Sequence, residues 1–413
     1  MTAQPRAAQG PGYQILLAVL LSINFGIVFF DRNALNFLMP FVQPELGLNN
    51  TQVGILAGAL SFTWAAAAFL IGMISDAMGS RKGLLVVATL AFSACSFATG
   101  IAGTFLVMLG ARLLMGAAEG GIMPISQSLI ASEVAPRHRG LAMGVTQNFG
   151  SNLLGSFVAP VLLVAFARTF GWRHAFFLAG VPGIVTALLM WRLVREPPAA
   201  SRQDGDAQGR WTLRQALAER NVLICALLGV LLVSYLVICW VFMPLYLTQV
   251  RHYDTQTMGW LMGTLGISAT VGAFAVSALS DRIGRRPLMI ATPLIGIILP
   301  LGAMYFQGSV WILAAIFFVG WSVNGIFPLF MATVPSESVD PRHTATVLGL
   351  CMGTGEILGG VLAPFVAGNA ADRTGLAAPL LIMVGLALVA GLLSIGLRET
   401  APRVLARRTI QTA

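Results

Sequence analysis

Long apolar runs separated by short polar breaks dominate this chain. Near-continuous apolar stretches fall at about residues 14–41, 52–77, 83–102, 105–130, 141–167, 174–195, 220–248, 256–279, 287–306, 309–332, 344–369 and 375–397. Each approaches or exceeds the roughly 20 residues that a helix needs to cross the hydrocarbon core of a bilayer. The runs are unbroken instead of alternating with period two, which predicts helices and not barrel strands. The expected architecture is therefore an all-α membrane protein with twelve transmembrane helices.

Composition strengthens this reading. The mean hydropathy is +0.81 and only 10% of residues are charged, against roughly a quarter in soluble domains. The four cysteines (Cys95, Cys225, Cys239 and Cys351) all fall in apolar runs, so they read as small buried hydrophobes and not as a disulfide framework. The four histidines sit in loops or at segment ends without metal-ligand spacing, and neither a metal site nor a cofactor is expected. The N-terminus carries a single Arg before an apolar segment too long for a signal-peptide core, so no cleaved signal is expected.

The net charge of +9 would suggest nucleic acid as a partner, but its distribution points to the bilayer instead. With both termini cytoplasmic, 19 of the 25 Lys and Arg residues lie on the inner side, four lie outside, and Arg32 and Arg112 lie within spans. That is the positive-inside asymmetry of a multi-pass protein of a plasma or inner membrane.

An internal repeat divides the chain. "SDAMGSRK" at 75–82 recurs as "SDRIGRRP" at 280–287, and "PRHRGLAMG" at 136–144 recurs as "PRHTATVLG" at 341–349, both at an offset of 205 residues. The repeat predicts an N-terminal six-helix bundle over 1–195 and a C-terminal six-helix bundle over 220–413. A polar cytoplasmic linker, 196–219, joins them. Parallel halves of this kind are a transporter architecture with the substrate site between the halves.

The segment "GMISDAMGSRKG" at 72–83 resembles the loop 2–3 signature of the major facilitator superfamily, through Gly72, Asp76, Gly79 and Arg81. The second copy keeps Asp281, Gly284 and Arg286, adds Arg285 beside them, and has Ser277 where the first glycine would stand. The resemblance covers essentially the whole chain. It implies two pseudo-symmetric six-helix bundles and a gating latch at these loop residues.

Charges inside spans cost several kcal/mol and persist for pairing or function. The segment map leaves Asp31, Arg32, Arg112, Glu119 and Glu356. Arg112 and Glu119 are seven residues apart, so at about 100° per residue they share one helix face. Asp31 and Arg32 lie at intermediate depth in the first segment, so two acids and two bases are expected to cluster. An arginine cannot lose its proton and can grip a carboxylate bidentately, whereas a buried acid can exchange one. The pattern therefore predicts Asp31 and Glu119 as proton-coupling groups and Arg32 and Arg112 as anion ligands. Glu356 is a candidate substrate ligand in the other half, and Asn148, Asn152, Tyr235 and Asn324 are softer ones.

"FFDRNALNF" at 29–37 together with "GARLLMGAAEGG" at 110–121 resembles the anion:cation symporter branch of the superfamily. The resemblance implies proton-coupled uptake of a small organic anion, a carboxylate or sugar acid, by a monomer. Spinster-type lipid transporters share a first-helix acid–base pair and a fourth-helix acid, so a lipid transporter is one alternative. A drug/proton antiporter of the same fold is another. No nucleotide loop, metal constellation or nucleophile–base pair is present in the sequence, so an enzyme is not expected.

Overall fold

The computed structural model describes residues 10–78, 81–196, 213–340 and 343–406. Gly79 and most of the expected linker lie outside the described residues, as do the side chains of Asp76 and Asn148. The described residues are helical and contain no strand. Twelve spans carry enough length and apolar character to cross a membrane: α1 (Pro11–Leu46), α2 (Asn50–Ala68), α3 (Arg81–Gly100), α4 (Phe105–Glu133), α5 (Leu141–Phe170), α6 (Trp172–Leu193), α7 (Arg220–Val250), α8 (Thr255–Ile283), α9 (Arg285–Tyr305), α10 (Val310–Glu337), α11 (Thr346–Thr374) and α12 (Ala377–Ser394). The helix of α2 itself continues to Met78.

Large apolar side chains line the outer surfaces. Trp311 is 85% exposed, and Leu106, Leu141, Phe274 and Leu362 are also exposed. Water would penalise such a surface, whereas lipid tails are as apolar as these side chains.

Several spans depart from α geometry. In α5 the backbone runs as π-helix over Val145–Phe149 and Ser151–Val158. In α11 the same occurs over Gly355–Leu362, and α10 passes through a 3-10 stretch at Trp321–Ile326. Such insertions rotate the register of side chains and frequently mark functional sites. Asn148 and Asn152 fall in the first pair, Glu356 in the α11 stretch and Asn324 in the α10 stretch.

The helices form two compact units. One comprises Met1–Ala34 and Thr63–Gln203, and the other Leu35–Phe62 and Asp204–Ala413. The division cuts through α1 and α2. In the second unit the start of α2 is joined to the end of α11, where Asp372 accepts hydrogen bonds from the backbone N–H of Asn50 and of Thr51 (2.8 Å each) and from the Thr51 hydroxyl (2.6 Å). A carboxylate at a helix N-terminus satisfies orphan donors and meets the positive end of the helix dipole.

Candidate functional site

In the first unit α1 is held on two sides. Against α5, the Ser22 hydroxyl donates to the Val145 carbonyl at 3.0 Å and the Asn33 amide to the Gly155 carbonyl at 3.1 Å. Against α3, the Thr89 hydroxyl reaches Asn24 Oδ1 at 3.3 Å. This clamping fixes the rotation of α1, and so fixes where its two adjacent charges point. At about 100° per residue, Asp31 and Arg32 leave the helix in different directions.

Asp31 points inward and is 0% exposed. Its Oδ1 lies 2.6 Å from Ser96 Oγ on α3, and the same oxygen of Ser96 lies 2.9 Å from the Phe176 carbonyl on α6. The other carboxyl oxygen of Asp31 has no hydrogen-bond partner.

Arg112 and Glu119 on α4 are each 1% exposed. Arg112 Nη1 donates to the main-chain carbonyl of Arg32 at 3.2 Å, and its guanidinium lies 5.9 Å from the centre of the Phe176 ring. Its Nε and Nη2, and both oxygens of Glu119, are buried without a hydrogen-bond partner. Asp31, Arg112 and Glu119 nevertheless interact electrostatically, and Arg32 couples to Glu119 and to Arg112. The four charges expected to cluster are brought together within one unit.

Glu119 ends a helical stretch, and Gly120 and Gly121 make a turn before α4 resumes. Gly120 is required there: a Cβ would collide with the Trp64 carbonyl and lie 2.8 Å from the Ala67 side chain. The close approach sets α4 against α2, the helix that carries Trp64.

Arg32 is placed differently from Arg112. It is half-buried, with its guanidinium 5.2 Å from the centre of the Trp64 ring and 5.6 Å from that of Phe29. Aromatic faces attract a guanidinium while leaving its N–H edge able to donate. The two arginines therefore differ in burial: Arg112 is enclosed and bonds a main-chain carbonyl, whereas Arg32 rests half-buried on aromatic rings.

The remaining candidates scatter. Asn152 and Asn324 are half-buried. The carboxylate of Glu356 lies beside Gly360, and Ser61 borders that same position from α2. Tyr235 is 1% exposed, donates its hydroxyl to the Gly296 carbonyl at 2.8 Å and has the Trp321 ring 6.1 Å away. Its hydroxyl is thus committed to helix packing, as the sequence did not disclose.

The chain was compared with known proteins. It matches the family model described as Major Facilitator Superfamily over residues 21–364 and 240–411. The chain belongs to the Major Facilitator Superfamily. It is a multi-pass membrane transporter, and superfamily members of this kind are not enzymes. It is 27% identical to the probable sulfoacetate transporter SauU of Cupriavidus necator, covering 87% of this chain and 88% of that one. It is 26% identical to the hexuronate transporter of Bacillus subtilis, covering 91% and 93%. Among solved structures, a bacterial homolog of the human lysosomal transporter Spinster, in its inward-facing occupied conformation, gives a TM-score of 0.78 at 18% identity, with 94% and 97% covered. A D-xylose–proton symporter gives 0.73 at 16% identity, with 92% and 97% covered. These structures share the superfamily fold.

The superfamily's loop signature takes a definite form in the second unit. Gly284 holds φ +121°, a left-handed conformation that favours glycine. Arg285 bridges Asp281 at 2.6 Å and Glu337 at 3.0 Å. Arg286 donates instead to the Ile395 carbonyl at 2.8 Å. Glu399 accepts from the backbone N–H groups of Arg285 (2.8 Å) and Arg286 (3.1 Å). In the first unit Glu196 does the same for Arg81 (2.6 Å) and Lys82 (3.1 Å).

Sequence reasoning missed Ser96, Glu196, Glu337 and Glu399. A signal existed for two of them, because the pair Arg195–Glu196 after α6 is repeated as Arg398–Glu399 after α12. Ser96 and Glu337 carry no such mark.

Proposed function

We propose that this superfamily member takes up a small organic anion together with protons by alternating access, from a plasma or inner membrane with both termini in the cytoplasm. The observation that carries the reading is the burial of Asp31, Arg112 and Glu119 inside one helical unit, next to the half-buried Arg32. Two carboxyl groups and one guanidinium are costly in such a place, and groups of this kind mark proton relays and substrate paths. Relatives named as transporters of sulfoacetate and of hexuronate are consistent with an anionic substrate.

In this reading Asp31 and Glu119 carry the coupled proton. Arg32, supported by Trp64, is the primary anion ligand, and Arg112 holds the main chain of α1 and balances the two acids. Asn148, Asn152, Asn324 and Glu356 contribute further polar contacts with the substrate, while Tyr235 acts through packing. The loop residues Gly72, Asp76, Gly79 and Arg81, with Asp281, Arg285 and Arg286, form the latch that biases the conformational equilibrium. The halves 1–195 and 220–413 move as a monomer about the linker 196–219, with neither cofactor nor nucleic acid involved.

Uptake into proteoliposomes tests the reading. An inward proton gradient drives accumulation of an organic acid such as a hexuronate, and a collapsed gradient permits only equilibration. Accumulation that ignores the gradient overturns proton coupling, and outward movement of apolar cations or of lipid would favour the antiporter or the spinster-type reading.

A further inference from the structure

A cavity of about 360 Å³ opens in the second unit, lined by Arg220, Arg286 and Arg398 with Glu399, Ile395 and Leu405. Its size sits at the lower end of the range for small-ligand sites. The three arginines come from the start of α7, the start of α9 and the segment after α12.

The single acid in the lining does not balance them. The carboxylate of Glu399 accepts from four backbone N–H groups, those of Arg285, Arg286, Thr400 and Ala401, at 2.8–3.1 Å. Its charge is thereby committed to the N-terminus of α9 and the turn that follows α12. Among the described residues, no ion pair joins Arg220, Arg286 or Arg398 to a carboxylate. Arg286 uses one nitrogen on the Ile395 carbonyl, and its Nε is buried without a partner. The cavity thus holds an excess of positive charge and unused guanidinium donors, which is what a phosphate oxygen requires.

The rim identifies the carrier of that phosphate. Ile395 and Leu405 are 50% and 43% exposed at the cavity, and Leu392 and Leu223, about one turn along α12 and α7, are also exposed. An apolar surface leading away from a basic pocket at the end of membrane helices suits a lipid whose headgroup enters and whose acyl chains lie outside. We propose that this cavity binds one phosphate group carried by an anionic phospholipid. The site lies on the face bearing the C-terminal segment and is independent of the transported substrate.

Native mass spectrometry of the full chain in mild detergent tests this, with phosphatidylglycerol, phosphatidylcholine of the same acyl chains, and inorganic phosphate as probes. The expected result is one tightly retained phosphatidylglycerol, several-fold preferred over phosphatidylcholine. Retention falls at least about fivefold in Arg220→Gln/Arg398→Gln. The single variant Arg398→Gln, altered at an exposed side chain, shows a smaller loss in the same direction and serves if the double variant does not fold. Arg282→Gln, which removes the same charge outside the cavity, retains the lipid. Equal retention of the two lipids, unchanged retention in the arginine variants, or an equal loss in Arg282→Gln overturns the site. Binding of inorganic phosphate at the same concentration, with phosphatidylglycerol excluded, keeps a phosphate site but overturns the lipid as its carrier.

Discussion

The hydroxyl of Ser96 stands 2.6 Å from the carboxyl of Asp31 and, on its other side, 2.9 Å from the Phe176 carbonyl. A serine has one hydrogen to donate and can also accept. When Asp31 is ionised, Ser96 donates to it. When Asp31 is protonated, its O–H donates to Ser96, whose own hydrogen then turns to Phe176. One side chain thus serves both proton states without moving.

Ser96→Ala removes this adaptation. A hydrogen bond to a charged group contributes about 1.5–3 kcal/mol. The protonated acid loses a neutral hydrogen bond as well, so only the difference counts, and the expected outcome is a displacement of the midpoint in the pH profile of uptake by roughly half to one unit. Ser93→Ala is the control: Ser93 bonds the Thr89 carbonyl on its own helix and should leave the profile in place. A profile that does not move in Ser96→Ala removes Ser96 from the coupling machinery.

Glu119→Gln and Asp31→Asn each fix one acid in a neutral form of nearly the same shape. Gradient-driven accumulation in proteoliposomes should disappear in at least one of them, while exchange of labelled for unlabelled substrate across the membrane continues. Uphill uptake intact in both variants would falsify proton coupling through these groups.

The two arginines should separate kinetically. Arg32→Ala is expected to raise KM by tenfold or more, because a charge-assisted pair to the substrate is lost. Arg32→Lys restores the charge but not the planar fork, so it recovers only part of the affinity. Trp64→Ala, which removes the aromatic face beneath Arg32, should cost about 0.5–2 kcal/mol in apparent affinity. Arg112→Ala leaves Asp31 and Glu119 without their buried counter-charge and should lower purified yield and thermal stability as well as uptake. Equal KM effects with unchanged stability in both arginine variants would remove the distinction.

Asp372→Ala strips three hydrogen bonds from the start of α2. Loss of a capping side chain costs about 0.5–2 kcal/mol, so Tm should fall, and Asp372→Asn should keep part of the difference. Thr51→Val, which removes only the hydroxyl contact, should lie between the natural protein and Asp372→Ala. A Tm unchanged in Asp372→Ala would show that the contact adds nothing.

Much of this architecture is local information. A run of apolar residues specifies a membrane helix because each backbone group bonds within its own segment, so the twelve spans were legible without knowledge of any neighbour. The repeat of Asp76 and Arg81 in Asp281 and Arg286 was legible for the same reason. So was the presence of Asp31, Arg32, Arg112 and Glu119 inside apolar runs, since hydropathy alone makes such charges conspicuous.

What the sequence by itself determined was therefore the set of helices and the identity of the charges that must be accommodated. Tertiary structure alone decided how each charge is met. The partners lie far along the chain: Ser96 is 65 residues from Asp31, and the Arg32 carbonyl is 80 residues from Arg112. Hydropathy gives Arg32 and Arg112 the same value, yet one rests half-buried on Trp64 and the other is fully enclosed and bonds a main-chain carbonyl. It gives Tyr235 no mark of the Gly296 carbonyl that takes its hydroxyl, and it does not place Arg285, instead of Arg286, between Asp281 and Glu337. The physical reason is that helix formation depends on neighbours in sequence, whereas the pairing of buried polar groups depends on how helices rotate and approach, which packing at residues such as Gly120 and Ser22 sets.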